Sequence, residues 1–347
     1  MRQNNFNFLR FYFAFVVVIG HIIVISEVKD FQFLAPYFST YTSVTAFFCI
    51  SGFLITQSYF NSASIRSYFR KRAARLLPAY VLVIVLSAIF LSLLSQYSIS
   101  EYFKNPQLLK YVLANLSFLN FIEPNLPGVF LQKGLSPDVN GALWTLKVEV
   151  CFYLIVPALL LLAERIKRKY LLFIGLYLLS IIYKNSLEYI SQVNQNNTYA
   201  MLAHQLPGFI SYFVCGIALF YYQSTFQKYK IRFLISGLVV YLLERNLELE
   251  ILTPLSLSLL VFTVAFSIKQ LNSFGKYGDI SYGLYLFHCP IIKAATYLGY
   301  FQKYNPFFVA LIVILVVVGV SLASWHWVEK GFLKRAHSSR LKTIINT

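Results

Sequence analysis

Five ionisable side chains interrupt otherwise apolar stretches of the chain: Arg10, His21, Lys147, Glu149 and His288. An ionisable group inside a membrane-spanning segment costs free energy and is therefore a candidate for function. Arg10 and His21 are eleven residues apart. In an α-helix this spacing gives a rise of about 16 Å and returns to within about 20° of the same face. We therefore predict that both side chains point into one crevice.

His21 and Glu149 lie at matching depths in two predicted helices of opposite direction. His21 is five residues from the outer end of its segment, and Glu149 is six residues beyond the outer start of its own at residue 143. At the helical rise these depths are about 8–9 Å. A carboxylate beside an imidazole orients the ring and stabilises its charged form, as in a general base. We predict both as catalytic residues; the alternative is that each merely satisfies a polar neighbour in the bundle.

A basic run follows the second apolar segment, and Arg72 and Arg75 lie three residues apart in it. We expect them to share a face at the beginning of a helix, where free N–H groups favour anions. Arginine makes bidentate contacts with phosphate. The pair therefore predicts a site for a phosphate-bearing carrier. The alternative is anchoring to lipid headgroups.

These residues must be positioned by membrane helices. Of the 347 residues, 58% are hydrophobic and 12% are charged, about half the charged fraction of soluble domains. Ten apolar segments have roughly the length of a membrane span. They lie at 6–26, 42–60, 76–96, 143–163, 170–185, 206–222, 231–243, 252–268, 280–299 and 306–328. A further segment at 108–122 is interrupted by Asn115 and Asn120, and we expect it to be interfacial or re-entrant.

The charges indicate how the helices are oriented. With the N-terminus inside, cytoplasmic segments hold 20 of the 30 Lys and Arg residues, whereas the outer loops hold six. This asymmetry satisfies the positive-inside rule and places both termini in the cytoplasm. The net charge of +17 is thus a signal of topology, and we expect no nucleic-acid partner. We predict one membrane-embedded, all-α domain over 1–347, with its core at about 6–333. The four cysteines have no metal-like spacing, and we expect no metal.

Six motifs occur in order along most of the chain. They are Arg10 with His21; Ser51-Gly52-Phe53-Leu54-Ile55; Arg72-x-x-Arg75 followed by Leu-Leu-Pro; Leu143-Trp144-Thr145-Leu146-Lys147-Val148-Glu149 continuing to Phe152-Tyr153-Leu154; Ser281-Tyr282-Gly283-Leu284-Tyr285-Leu286-Phe287-His288; and Trp327-Val328-Glu329-Lys330-Gly331-Phe332. Together they resemble the signature of the acyltransferase-3 family of membrane acyltransferases. Two positions depart from it: Val150 replaces a second glutamate and Gly331 replaces the closing proline. We expect a stand-alone member without the fused esterase-like domain of some relatives.

The resemblance implies transfer of an acyl group, usually acetyl, from cytoplasmic acyl-CoA to a hydroxyl of an envelope carbohydrate. Typical acceptors are lipopolysaccharide O-antigen and exopolysaccharide, and the location is the bacterial inner membrane, among its lipids. Acyl-CoA would be a donor substrate, with no bound cofactor.

The resemblance also assigns roles. Arg72 and Arg75 would hold the CoA phosphates, with Arg10 at the neck of the crevice. His21 would remove the proton of the acceptor hydroxyl or accept the acyl group itself, and Glu149 would orient His21 or bind acceptor hydroxyls. Tyr153, Tyr282 and His288 would line the substrate pocket; for His288 the alternative is a core histidine whose hydrogen bonds are satisfied within the bundle.

Two other classes of membrane protein compete with this interpretation. A transporter or flippase for a glycan or lipid intermediate would use Arg10, His21 and Glu149 as an ion or proton site; no inverted repeat supports it. A glycan polymerase would place its ionisable groups in large outer loops, but here the outer loops are short except at 97–142. The acceptor, the acyl group, the choice between direct transfer and an acyl-enzyme, and the oligomeric state stay open.

Overall fold

The fold is helical in a computed structural model that describes residues 4–132, 134–247 and 250–336. Within these residues there is no strand, only an isolated bridge between Asn125 and Asp138. The α-helices are α1 (Phe6–Ser26), α2 (Thr40–Phe60), α3 (Ile65–Phe90), α4 (Ile99–Lys104), α5 (Pro106–Leu116), α6 (Trp144–Arg165), α7 (Lys169–Asn194), α8 (Asn197–Ala203), α9 (Leu206–Tyr221), α10 (Gln223–Lys228), α11 (Lys230–Leu247), α12 (Thr253–Ser267), α13 (Ser281–Tyr297), α14 (Tyr300–Lys303) and α15 (Pro306–Ser324).

Helices occupy all ten predicted segments, and seven helical segments of the described chain are long and apolar enough to cross a membrane. These are Phe6–Ser26, Lys29–Phe60, Ile65–Leu94, Gly141–Arg165, Lys169–Asn194, Asn197–Tyr221 and Pro306–Ala336. α12 and α13 have 15 and 17 residues, below the roughly 20 of a perpendicular span. α11 carries four charged residues among its 18. The chain is therefore a multi-pass helical membrane protein, while ten spans and cytoplasmic termini stay predictions.

The described residues fall into two compact units, each built from separated parts of the chain. The first unit is drawn from Met1–Arg10, Tyr41–Tyr68 and Val148–Lys276, and the second from Phe11–Thr40, Phe69–Lys147 and Tyr277–Thr347. In the first unit α2 and α9 cross at two glycines. A Cβ on Gly52 would lie 2.0 Å from the Phe213 carbonyl oxygen, and one on Gly216 would lie 2.0 Å from the Cys49 oxygen. Small residues of this kind allow helix backbones to approach closely in membranes.

In the second unit α13 packs between α3 and α15. The Tyr282 hydroxyl donates to the Leu76 carbonyl of α3 at 3.0 Å. On the α15 side, a Cβ on Gly283 would lie 2.9 Å from the Ser321 Cβ. α13 is buried along most of its length, so the side chains that it carries are held on a packed element.

The apolar segment predicted at 108–122 forms α5 and a turn rather than a long helix. With 11 residues, α5 is about 16 Å long and too short to cross the bilayer alone. Asn115 explains why the helix ends here. Its amide donates to the Glu123 carbonyl at 3.0 Å, and its own carbonyl accepts from the Tyr80 hydroxyl at 2.7 Å. These bonds tie the chain back on itself, and the described residues 117–132 and 134–140 continue as a folded loop.

Candidate functional site

Two histidines from opposite ends of the sequence meet in the second unit. Nδ1 of His21 lies 2.7 Å from Nε2 of His288, and the ring centroids are 4.9 Å apart with 19° between the planes. Each ring nitrogen lies about 1.1 Å from the centroid of its ring. If both nitrogens lay on the line that joins the centroids, the centroids would be roughly 5 Å apart. The rings are therefore edge to edge and nearly coplanar, the geometry of a hydrogen bond rather than of stacking. We call these residues the histidine pair.

The surroundings of the histidine pair fix where the protons lie. Nδ1 of His288 is 3.0 Å from the Leu284 carbonyl oxygen, and a carbonyl can only accept. His288 therefore carries its proton on Nδ1, and in its neutral form Nε2 is an acceptor. Nδ1–H of His21 donates to that nitrogen, which leaves Nε2 of neutral His21 without a proton. This is the nitrogen that a general base or nucleophile needs.

A metal is the other ligand that this group of side chains suggests. His21, His288 and Cys289 place ligand atoms within 4.8 Å of one another. Two imidazole nitrogens bound to one tetrahedral zinc at 2.0–2.1 Å would be about 3.3 Å apart. The observed 2.7 Å is too short for this arrangement and fits a direct hydrogen bond.

His288 thus has a position that the sequence did not predict. We expected it to line the substrate pocket, and it occupies the orienting position on His21 that we had assigned to a carboxylate. The two residues are separated by 267 positions, and no spacing rule connects them. His288 is fully buried, whereas His21 is partly exposed.

The predicted phosphate arginines lie inside α3 rather than at its beginning. We expected a helix from residue 76, but α3 begins at Ile65. Arg72 and Arg75 are therefore two to three turns into the helix, where backbone N–H groups are already bonded within it. The prediction that free backbone N–H groups assist anion binding here is wrong, because the basic run is part of the helix instead of preceding it. The two side chains still share a face, three residues apart.

Arg75 is the centre of a charged cluster that joins three of the sequence motifs. Its guanidinium is 2.7 Å from the Asp279 carboxylate and 4.0 Å from that of Glu329, and it lies over the Tyr282 ring at 5.7 Å. Glu329 is 1% exposed and also accepts from Ser324 at 3.0 Å. We call Arg75, Asp279 and Glu329 the arginine cluster. It ties the third turn of α3 and the residues just before α13 to the chain that follows α15.

Three predicted site residues belong to the first unit. Arg10 is on the first turns of α1, on the same uninterrupted helix as His21. Glu149 accepts a hydrogen bond of 2.5 Å from Tyr153 one turn later on α6. Tyr153 is buried, and its carbonyl accepts from the Tyr68 hydroxyl at 3.1 Å. The roles of Arg10, Glu149 and Tyr153 in a reaction stay predictions.

Two lysines are buried ion-pair partners. Lys184 in the first unit is 4% exposed and bonds the Tyr41 hydroxyl at 2.9 Å and the Glu250 carboxylate. Lys293 in the second unit is also 4% exposed and is 2.7 Å from the Asp138 carboxylate. Their acidic partners are 66 and 155 residues away, so local sequence carries no signal of either pair.

Comparison with known proteins adds an independent line of observation. Residues 3–326 match the model of a family described as an acyltransferase domain. Nodulation protein 10 of Rhizobium leguminosarum bv. viciae is 34% identical over 179 residues, 48% of this chain and 46% of that protein. The O-acetyl transferase of Shigella phage Sf6 is 24% identical over 351 residues, covering 96% and 97% of the two chains. The putative acetyltransferase ORF330 of Acidianus two-tailed virus is 28% identical over 261 residues, 71% of each chain.

The match to the nodulation protein thus spans less than half of that relative's length, whereas the match to the phage protein spans almost all of it. No solved structure matches the chain.

Proposed function

The chain belongs to the acyltransferase-3 family and is therefore an enzyme that transfers acyl groups; from this premise we propose its donor, acceptor and catalytic residues. The donor is acyl-CoA on the cytoplasmic side, with acetyl as the acyl group. The acceptor is a hydroxyl of an envelope carbohydrate such as lipopolysaccharide O-antigen or exopolysaccharide. The reaction takes place in the bacterial inner membrane.

The histidine pair is the observation that carries this proposal. Transfer to a hydroxyl needs a group that removes its proton as the C–O bond forms. Neutral His21 has a free lone pair on Nε2, because its one ring proton is on its own Nδ1 and is donated to Nε2 of His288. His21 is partly exposed while its partner is buried, so the reactive nitrogen belongs to the accessible residue. The name of the phage relative, an O-acetyl transferase, supports a hydroxyl acceptor.

The reaction follows with its atoms balanced. Nε2 of His21 takes the proton of the acceptor hydroxyl, and the oxygen attacks the thioester carbonyl carbon. The tetrahedral intermediate then collapses, the C–S bond breaks, and CoA leaves as a thiolate that takes the proton back from His21. The products are an ester and CoA thiol. Nε2 of His288 accepts from the imidazolium of His21 and stabilises its charge in the transition state.

We propose that the donor phosphates bind at the arginines of α3. Arg75 is already paired with two carboxylates, so a phosphate would share it with them. Arg72, one turn earlier on the same face, would bind the phosphates together with Arg75. The Tyr282 ring beneath Arg75 is six residues before His288 on α13, which is about 9 Å along the helix. The extended pantetheine arm would carry the thioester over this distance toward the histidine pair.

The remaining predicted residues have supporting roles in the proposal. Arg10, on the same face of α1 as His21 by helical geometry, would steer the anionic donor. Glu149, bonded to Tyr153, would bind acceptor hydroxyls, because the orienting position on His21 is taken by His288. Tyr282 donates its hydroxyl to a backbone carbonyl, so it would contribute its ring rather than its hydroxyl to the substrate pocket.

The experiment is a transfer assay with the full chain in nanodiscs. Radiolabelled acetyl-CoA is supplied with membrane glycolipid extracts, and both CoA release and label on the glycan are measured. We expect equal amounts of CoA and labelled glycan from the wild-type protein. If neither CoA release nor labelled glycan is observed with any extract, the proposed donor and acceptor are refuted and the transporter interpretation is favoured. Label that stays on the protein would instead indicate an acyl-enzyme.

A further inference from the structure

Helix α13 contains a proline two residues after His288. Pro290 lies inside the helix, and a proline has no backbone N–H and crowds the carbonyl four residues earlier. In α13 that carbonyl belongs to Leu286, which is fully buried. A buried carbonyl that loses its helical donor needs another one. The turn that carries His288 therefore depends on a donor from outside the regular helical pattern.

Asn140 supplies a donor to this carbonyl. Its side-chain amide donates to the Leu286 oxygen at 2.8 Å, and its side-chain oxygen accepts from the Ala142 N–H at 3.2 Å. Because a carbonyl can only accept and an N–H can only donate, the two bonds fix which way the amide is turned. Asn140 is itself buried. It therefore ties the short turn Gly141–Leu143, which precedes α6, to α13.

The loop before α6 is also bonded to α13 beyond the proline. The Lys293 ammonium donates to the Ser136 carbonyl at 3.2 Å and to the Asp138 carbonyl, and it is 2.7 Å from the Asp138 carboxylate. Residues 136–140 are thus bonded to α13 four residues before Pro290 and three residues after it. The helix is held from outside on both sides of the position where its own bond is missing.

The side chain of His288 extends from this turn. His288 is two residues after Leu286 and two before Pro290, and its Nδ1 is 3.0 Å from the Leu284 carbonyl oxygen. The position of its ring opposite His21 therefore depends on the path of the turn. The bond of the histidine pair is 2.7 Å long, and hydrogen bonds weaken beyond about 3.2 Å. A shift of about 1 Å in the turn would break this bond.

We propose that Asn140 is a positioning residue, whose hydrogen bond to the carbonyl left without a donor by Pro290 holds His288 within reach of His21. Asn140 acts on the reaction only through His288. Its effect on the rate of acyl transfer rests on the proposed function, whereas its effect on the geometry of the histidine pair does not.

The geometry is tested without any substrate. The full chain is labelled with nitrogen-15 in its five histidines and placed in nanodiscs. The Nδ1–H proton of His21, held in a short hydrogen bond, should give a downfield NMR signal that is missing in His21→Ala. Asn140→Asp keeps the acceptor for the Ala142 N–H but removes the donor to Leu286. We expect the downfield signal to be shifted or lost in this variant.

Asn115→Asp is the matched control. Asn115 is also buried, and its amide also donates to backbone carbonyls, those of Tyr111 at 2.8 Å and Glu123 at 3.0 Å. Neither carbonyl is on α13. Thermal unfolding should show that both Asp variants are less stable than the wild type, whereas only Asn140→Asp changes the histidine signal. If Asn140→Asp does not fold, Asn140→Ala, which buries no charge, takes its place.

The effect on the reaction is measured as CoA release with saturating acceptor. Asn140→Asp should lower kcat by about 10- to 100-fold at an unchanged KM for acyl-CoA, because a displacement of about 1 Å costs up to about 10²-fold. Combined with His288→Phe it should cause no further loss, since Asn140 acts through His288. Combined with Pro290→Ala, which returns an N–H for the Leu286 carbonyl, it should cost less kcat than in the wild-type background.

Each outcome decides for or against the positioning role. An unchanged histidine signal in Asn140→Asp, an equal change in Asn115→Asp, or a raised KM with unchanged kcat would overturn it. Losses that multiply with His288→Phe, or an equal loss with and without Pro290→Ala, would do the same. A changed histidine signal in Asn140→Asp without CoA release from the wild type would keep the positioning role and refute the acyl transfer. CoA release by the wild type, with signal and kcat unchanged in Asn140→Asp, would do the reverse.

Discussion

Replacing His288 separates a positioning role from a pocket-lining one. His288→Phe keeps a flat ring but removes the acceptor for the Nδ1–H of His21, which is now 2.7 Å away. His288→Gln keeps an acceptor oxygen near the position of Nε2. We therefore expect a large loss in His288→Phe and partial rescue in His288→Gln.

The size of the loss follows from the bond. When His21 takes the substrate proton, its hydrogen bond to His288 becomes one from a charged donor, worth about 1.5–3 kcal/mol. At about 1.4 kcal/mol per tenfold change, this corresponds to a decrease in kcat of about 10- to 150-fold. Because the bond strengthens in the transition state, kcat should fall while the KM for acyl-CoA stays nearly constant.

The assay is CoA release under saturating acceptor, with thermal unfolding as the control for folding. The double variant His21→Ala/His288→Phe should be no slower than His21→Ala alone, since His288 acts through His21. A raised KM with unchanged kcat in His288→Phe would refute the positioning role and restore pocket lining. Equal rates for His288→Phe and His288→Gln would also contradict the reasoning.

Three further predictions concern other residues of the helices and of their connections. Arg72→Ala should raise the KM for acyl-CoA about tenfold, because a charge-assisted phosphate contact is lost; unchanged CoA affinity in calorimetry would contradict it. Asp279→Asn should lower the free energy of unfolding by about 1–3 kcal/mol, measured by unfolding in SDS, because it weakens a partly buried ion pair with Arg75. The KM for acyl-CoA should not rise in this variant. Gly52→Ala should cost at least about 2 kcal/mol, since its methyl meets a carbonyl of α9, whereas Gly175→Ala, with open space around it, should be neutral in the same thermal unfolding experiment.

Hydropathy predicted the positions of the helices well and their ends less well. Every apolar segment is helical because, in lipid, a backbone must satisfy its own hydrogen bonds. The ends differ where polar residues continue a helix. α3 begins eleven residues before the predicted start at 76, because Arg and Lys are good helix formers. α7 likewise runs on to Asn194, beyond the predicted residue 185.

The spacing of Arg10 and His21 was readable because a single helix relates them. The partner of His21 was not, because only the packing of α1 against α13 brings His288 to it. Asp138 is a similar case, because only the fold brings its carboxylate to Lys293. Local periodicity thus locates candidate residues on helix faces, whereas pairing between distant segments needs the tertiary structure.

The central claim is that Nε2 of His21 is the base for acyl transfer. It is tested most directly by the initial rate of acetyl transfer to glycan in nanodiscs, for the wild type, His21→Ala and the exposed control His326→Ala. General-base catalysis contributes about 10²- to 10⁴-fold, so we expect His21→Ala to lose at least about 10²-fold while His326→Ala keeps the wild-type rate. Full activity in His21→Ala would contradict the account.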